Sequence, residues 1–274
     1  MMTKLIYSLL VLLISVQVSA NSLPKQAAIP GGVVIVPLSA SAMGKPKVMY
    51  GDEKVAVVQH ERKWVAIVGV PLSAKTGAQS LSATQNGKTR KILFHIEDKA
   101  YPTQHITIAD KRKVNPNKLD MTRIKSESAI INAALSHWTE KSVLPLPFMW
   151  PLEGRVSGLY GRRRIFNGQS RRPHSGMDIA APTGTEIQAP AEGTIREVGN
   201  YFFNGNTIFI DHGQGLMTIF CHLNRTDVVL GQTVSRGEVI GTVGMTGRVT
   251  GPHLHLGVSL NDTRVEPRLF FPAR

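Results

Sequence analysis

Gly251-Pro252-His253-Leu254-His255-Leu256-Gly257-Val258-Ser259 is the stretch whose reading decides the fold. A glycine and a proline punctuate the chain, and the run from His253 to Ser259 reads as a β-strand. In an extended strand, side chains two residues apart face the same side, so His253 and His255 project into one space while Leu254 points away. One imidazole can bind a metal ion while the other reaches the ion's water. Working backwards, two further elements carry complementary groups: His222 in Phe220-Cys221-His222-Leu223, and His174 with Asp178 in Pro173-His174-Ser175-Gly176-Met177-Asp178. The four-residue spacing of His174 and Asp178 would suit one face of a helix, but Pro173 and Gly176 argue against a regular helix. A loop running into a strand is expected instead.

These residue types point to metal-assisted hydrolysis. A catalytic zinc ion takes three protein ligands and keeps a fourth position for water, whose proton it helps to release near neutral pH. A proton carrier is also needed, and histidine, with an ordinary pKa of about 6.5, suits that role. His222 and His253 are the candidates. The His-Glu-x-x-His helix of other zinc peptidases is absent. His212, in Asp211-His212-Gly213, is a spare imidazole expected to shape a turn. His60, His95, His105 and His137 lack metal-type spacing and read as structural or solvated.

The rest of the chain frames that region. After Trp150 it is glycine-punctuated and β-rich, with strands expected at 186–188, 194–198, 207–211, 217–222, 239–243 and 253–259. Residues 148–270 are read as an antiparallel β-sheet domain whose loops carry much of the chemistry. Residues 27–110 read as a small β-sandwich-like domain, with strands at 32–38, 48–50, 55–59, 64–70, 91–96 and 105–108 and a two-residue hairpin at Asn86-Gly87. Between the two, Ile124, Ile131, Leu135 and Trp138 recur at helical spacing, predicting a linker helix over 120–140 with Asp120 as N-cap. Pro145, Pro147 and Pro151 close that segment. The fold class expected is mainly β.

Residues 1–20 read as an export signal, with Lys4 ahead of an apolar run and Val18-Ser19-Ala20 as the cleavage site. The mature chain is then expected outside the cytoplasm. Thirty-two Lys and Arg against nineteen Asp and Glu give a formal charge of +13, which favours polyanions. Export makes anionic envelope polymers the expected electrostatic contact and sets nucleic acid aside. The one cysteine, Cys221, excludes an intrachain disulfide and reads as a buried small hydrophobe. A thiol-peptidase reading would pair it with a histidine, but its neighbour His222 should face the opposite way on a strand.

From about residue 150 to 267 the chain resembles the lysostaphin-type, or LytM-domain, zinc endopeptidases of bacterial cell walls. The likeness runs through Pro173-His174-Ser175-Gly176-Met177-Asp178-Ile179-Ala180, Ala189-Pro190-Ala191-Glu192-Gly193, Ile210-Asp211-His212-Gly213, His222-Leu223, and Thr246-Gly247 to Gly251-Pro252-His253-Leu254-His255. The resemblance implies one zinc ion on His174, Asp178 and His255, with His222 and His253 flanking the attacking water. It also implies peptidoglycan as the substrate, cut at its peptide cross-links. The export signal makes the periplasm the expected location, and a signal peptide without a wall-anchoring segment makes a D-Ala to diaminopimelate bond the expected target. Phe220 stands where many relatives carry tyrosine. Some LytM-like proteins lack metal ligands and act only as activators of other wall hydrolases. A non-catalytic envelope-binding or amidase-activator module is therefore the alternative, and the complete ligand set here favours catalysis.

Overall fold

A computed structural model describes residues 22–274, so the expected export signal lies outside the described residues. The chain is mainly β, with one long helix. Among the described residues no helix is long and apolar enough to cross a membrane.

The amino-terminal strands form two sheets. Val33–Ala40, Lys63–Gly69 and Ala56–His60 pair antiparallel in one, and Glu53–Lys54, Lys47–Tyr50, Gly77–Gln85 and Lys88–Ile96 make the other. The hairpin predicted at Asn86-Gly87 joins the last two strands, and both residues take the positive φ that a tight two-residue turn requires (51° and 72°). Val34, Val36, Val57, Ala66 and Val68 pack with Leu81 and Ile96 between the sheets. Their alternates, Val33, Ala56, Val58, Val65 and Ile67, instead join the core of the carboxy-terminal sheet. The uninterrupted apolar run Val65-Ala66-Ile67-Val68 thus reflects a strand buried on both faces.

Two buried amides fasten this contact. The Asn261 side chain accepts from the Gly69 N–H and donates to the Gly69 carbonyl. Gln214 accepts from Val57 N–H and donates to the Lys141 carbonyl.

The carboxy-terminal sheet has eight strands, in the order Thr233–Val234, Gly193–Tyr201, Gly205–Asp211, Met217–Leu223, His253–Leu260, Met177–Ala180 and Arg155–Gly158, with Thr263–Val265 paired to His253–Leu260. All pairs are antiparallel. One face carries Ile208, Ile210, Phe220, Leu254, Leu256 and Val258 into the main core. The opposite face carries Phe209, Ile219 and Cys221, packed under Ala134 and Leu135 of the helix.

That helix runs Lys118–Leu135 rather than 120–140. Its N-cap is Asn117, whose side chain accepts from Asp120 N–H while the Asp120 carboxylate accepts from Asn117 N–H. Asp120 is the third residue of this capping box and not the cap. Trp138, the last member of the predicted stripe, lies beyond the helix.

Candidate metal centre

Register brings the centre together. Asp178 lies opposite His255, and Ala180 opposite His253, across the pairing of Met177–Ala180 with His253–Leu260. Directly opposed residues share a face, so the carboxylate and both imidazoles emerge on the side of the sheet away from Leu254. His174 comes from the loop ahead of the Asp178 strand, in keeping with the expectation of a loop running into a strand. Its Nε2 lies 3.0 Å from Asp178 Oδ1 and 3.0 Å from His255 Nδ1, and His255 Nδ1 lies 2.8 Å from the same carboxylate oxygen. Four-coordinate zinc with bonds of about 2.0–2.1 Å sets its ligand atoms about 3.3 Å apart. The three atoms need part by only a few tenths of an ångström to seat such an ion.

Among the described residues His174, Asp178 and His255 are the group of His, Cys, Asp or Glu able to hold a metal ion. His253 approaches the same oxygen less closely, Nε2 to Asp178 Oδ1 being 3.7 Å. The imidazole rings of His222 and His253 stand 5.0 Å apart, and those of His222 and His255 5.8 Å.

Backbone carbonyls decide the tautomers. A carbonyl oxygen only accepts, so each imidazole nitrogen bonded to one must carry the hydrogen. His174 Nδ1 donates to Leu159 O (2.8 Å), His222 Nδ1 to Thr246 O (2.9 Å) and His253 Nδ1 to Gly251 O (2.9 Å). In the neutral form each ring then holds its Nε2 lone pair free for the centre.

His222 reaches the group through a break in its strand. The last pair with the histidine strand is Cys221 opposite His255, and the pairing with Gly205–Asp211 slips between Asn206 and Ile208. His222 adopts φ of 68° and donates its backbone N–H to Asn204 O. A left-handed conformation at a residue with a Cβ costs roughly 1–2 kcal/mol, held here by the surrounding ladder.

Burial disfavours the charged form of two of the imidazoles. It pushes His222 down to about 3, with His255 and His253 adding to the effect, and pushes His255 down to about 4 against the opposing influence of Asp178. Burial alone would raise the Asp178 carboxyl, but hydrogen bonds from His174 and His255 hold it well below the usual carboxylate range.

The other histidines stay apart. His212 is fully buried, its two nitrogens bonded to Glu192 O and Thr218 Oγ1, and burial pushes it down to about 4. It shapes the Asp211 turn, as predicted. His95 and His105 are exposed. Cys221 is buried in the apolar cluster beneath the helix, where burial pushes its thiol up to about 12, so it is no nucleophile. Phe220 is fully buried in the main core, so a hydroxyl at that position would point away from the histidines.

Sequence reasoning missed Arg164 and read Gly176 only as a helix breaker. Arg164, in strand Arg163–Phe166, places Nη2 3.3 Å from Asp178 Oδ2. It sits within the run Arg162-Arg163-Arg164, whose polarity hid the strand. At Gly176 a Cβ would stand 2.5 Å from Leu256 O and 2.8 Å from His255 Nε2. Over the cleft lies the strand Thr103–Ile106, paired parallel to Arg163–Phe166, and Gln104, Ile106 and Ile108 help to line a cavity of about 260 Å³ beside the centre.

Comparison with known proteins agrees with this geometry. The sequence profile of Peptidase family M23 matches residues 172–267, and that of the Peptidase family M23 N-terminal domain matches residues 26–99. The peptidoglycan DD-endopeptidase ShyC of Vibrio cholerae serotype O1 is 41% identical over 116 residues, covering 42% of this chain and 27% of ShyC. The DD-carboxypeptidase/endopeptidase Mpg of Neisseria meningitidis serogroup B is 42% identical over 113 residues, 41% of this chain and 26% of Mpg. The chain thus spans about a quarter of the length of these curated relatives. A solved structure from Pseudomonas aeruginosa, assigned to peptidase M23, superposes with a TM-score of 0.74 at 40% identity, covering 89% of this chain and 95% of that one. Identity at that level, sustained across nearly the whole of a solved relative and in both regions, means that this chain belongs to peptidase family M23.

Proposed function

We propose that the chain is a zinc-dependent peptidoglycan endopeptidase, exported to the periplasm, that hydrolyses peptide cross-links of the cell wall. The observation that carries this reading is the convergence of His174 Nε2, Asp178 Oδ1 and His255 Nδ1 within 3.0 Å of one another. Two nitrogens and one carboxylate oxygen, with His222 and His253 alongside, form the donor set of an open zinc site.

His174, Asp178 and His255 would hold the ion. Zinc in such a site polarises the scissile carbonyl and makes an adjacent water more acidic. The protein's own groups do the rest. The Nδ1–H of His222 and His253 is tied to a carbonyl, so each can accept a proton at Nε2 without turning its ring. One of them takes the proton of the attacking water as the new C–O bond forms. The other, when protonated, donates to the developing oxyanion, and a proton passes to the leaving amine as the C–N bond breaks. Arg164 holds the second oxygen of Asp178, fixing the carboxylate plane.

The names of ShyC and Mpg support a peptide cross-link as the scissile element. A D-Ala to diaminopimelate bond is the preferred target. The test is a His174→Ala protein on purified cross-linked muropeptides: hydrolysis should disappear with bound zinc. A variant that still cleaves removes the zinc mechanism, and a wild type that binds wall but never cleaves favours an activator module.

A further inference from the structure

The cleft beside the metal centre carries more positive charge than its residues need. Arg164 and Arg248 both line it, and Asp178 is the one acidic residue among its lining. Arg164 spends one nitrogen on Asp178, while its Nε is buried with no partner. Arg248 forms no ion pair among the described residues. Its guanidinium is held between the rings of Phe166 (4.6 Å) and Phe203 (4.3 Å), and its hydrogen bond goes to the carbonyl of Lys113 at 3.3 Å. Aromatic rings on a guanidinium fix its plane and leave its N–H edge free for an anion. Phe166 also touches Arg164, at 5.8 Å, so one ring gathers both cations at the same wall of the cleft.

Two half-buried guanidiniums at one wall, with a single lining carboxylate that pairs with Arg164 alone and itself serves the metal centre, make a poor structural pair and a good receptor. Burial lowers Arg248 to about 10, with Arg164 and Arg171 adding to the effect, which fits a cation awaiting a counter-charge.

We infer that Arg248, backed by Arg164, is a carboxylate-recognition subsite that selects cross-links bearing a free carboxylate beside the scissile amide. The inference rests on the endopeptidase reading and adds a specificity to it. In a D-Ala to diaminopimelate cross-link, the carbon that bears the scissile nitrogen also bears a free carboxylate. A glycine bridge has no carboxylate there.

The test uses the zinc-loaded mature protein and two synthetic cross-linked dimers, one with that carboxylate free and one with it converted to the carboxamide. Wild type should favour the free acid by roughly 10- to 100-fold in kcat/KM, the range for a charge-assisted hydrogen bond. Arg248→Gln should lose that factor on the free acid, mainly through KM, and stay within about 2-fold of wild type on the carboxamide. Arg248→Lys should recover part of the preference. Equal cleavage of both dimers by wild type overturns the inference, as does an Arg248→Gln protein of unchanged zinc content that loses both activities equally. If wild type cleaves neither dimer, the endopeptidase reading fails. Calorimetric titration of the two dimers still decides the subsite, because equal affinities overturn it and a free-acid preference abolished in Arg248→Gln upholds it.

Discussion

One methyl group at position 176 should dismantle the metal centre. A Cβ on Gly176 would stand 2.5 Å from the Leu256 carbonyl oxygen and 2.8 Å from His255 Nε2, about 0.9 and 0.6 Å inside the 3.4 Å at which ordinary contact begins. Leu256 cannot retreat cheaply, since it pairs with Met177 on one side and with Phe220 on the other. The His255 ring must give way instead. A displacement near 0.6 Å is about three times the ±0.2 Å that ligand distances tolerate. Gly176→Ala should therefore weaken zinc by at least about 10- to 100-fold, lower kcat/KM by about 100-fold, and cost about 1–3 kcal/mol of stability from overpacking. Gly251 is the control, because a Cβ there meets nothing within 4 Å; Gly251→Ala should keep wild-type zinc affinity. The assay is zinc content under chelator competition, with turnover of a cross-linked dimer and thermal unfolding on the same preparations. A Gly176→Ala protein within 2-fold of wild type in zinc affinity and turnover would refute the steric argument.

Other outcomes rest on the same geometry. Cys221→Ala should keep activity within about 2-fold, and native protein should resist thiol alkylation, because the thiol is buried in an apolar cluster; loss of activity without loss of zinc would reopen thiol chemistry. His212 is neutral in the fold down to about 4 and titrates near 6.5 when unfolded, so protons bind the unfolded chain first. Its contribution, up to about 3 kcal/mol, is present above pH 6.5 and is lost as pH falls from 6.5 towards 4. His212→Gln should therefore flatten the fall of stability across that window, measured by denaturant unfolding at a series of pH values; an unchanged slope would exclude the titration. Asn261→Ala should lower stability by about 1–3 kcal/mol by removing both bonds to Gly69, with zinc affinity unchanged.

Part of the centre was legible from local spacing. His-Leu-His on a strand forces two imidazoles onto one face, and Pro173 with Gly176 argued against a helix through Asp178, while the ligand roles of His174, Asp178 and His255 came from the resemblance to the LytM-domain endopeptidases. His222 obeyed a different rule. Alternation would have set it opposite Cys221, but its left-handed backbone leaves the ladder, a long-range constraint that no local pattern encodes.

Short strands such as Arg155–Gly158 and Arg163–Phe166 escaped notice because their exposed or site-facing positions are polar. The same polarity concealed Arg164 among three consecutive arginines. The helix lost its predicted final residues because Trp138 packs near Gly215, beyond the helix end, at a spacing that imitates periodicity. The hairpin at Asn86-Gly87 was legible because its turn chemistry is wholly local.

Zinc removal and return tests the proposed chemistry most directly. Purified mature protein should contain one zinc per chain, lose hydrolysis of cross-linked muropeptides after exhaustive dialysis against EDTA, and regain it in proportion to zinc added back up to one equivalent. A protein that remains fully active when free of metal would contradict it.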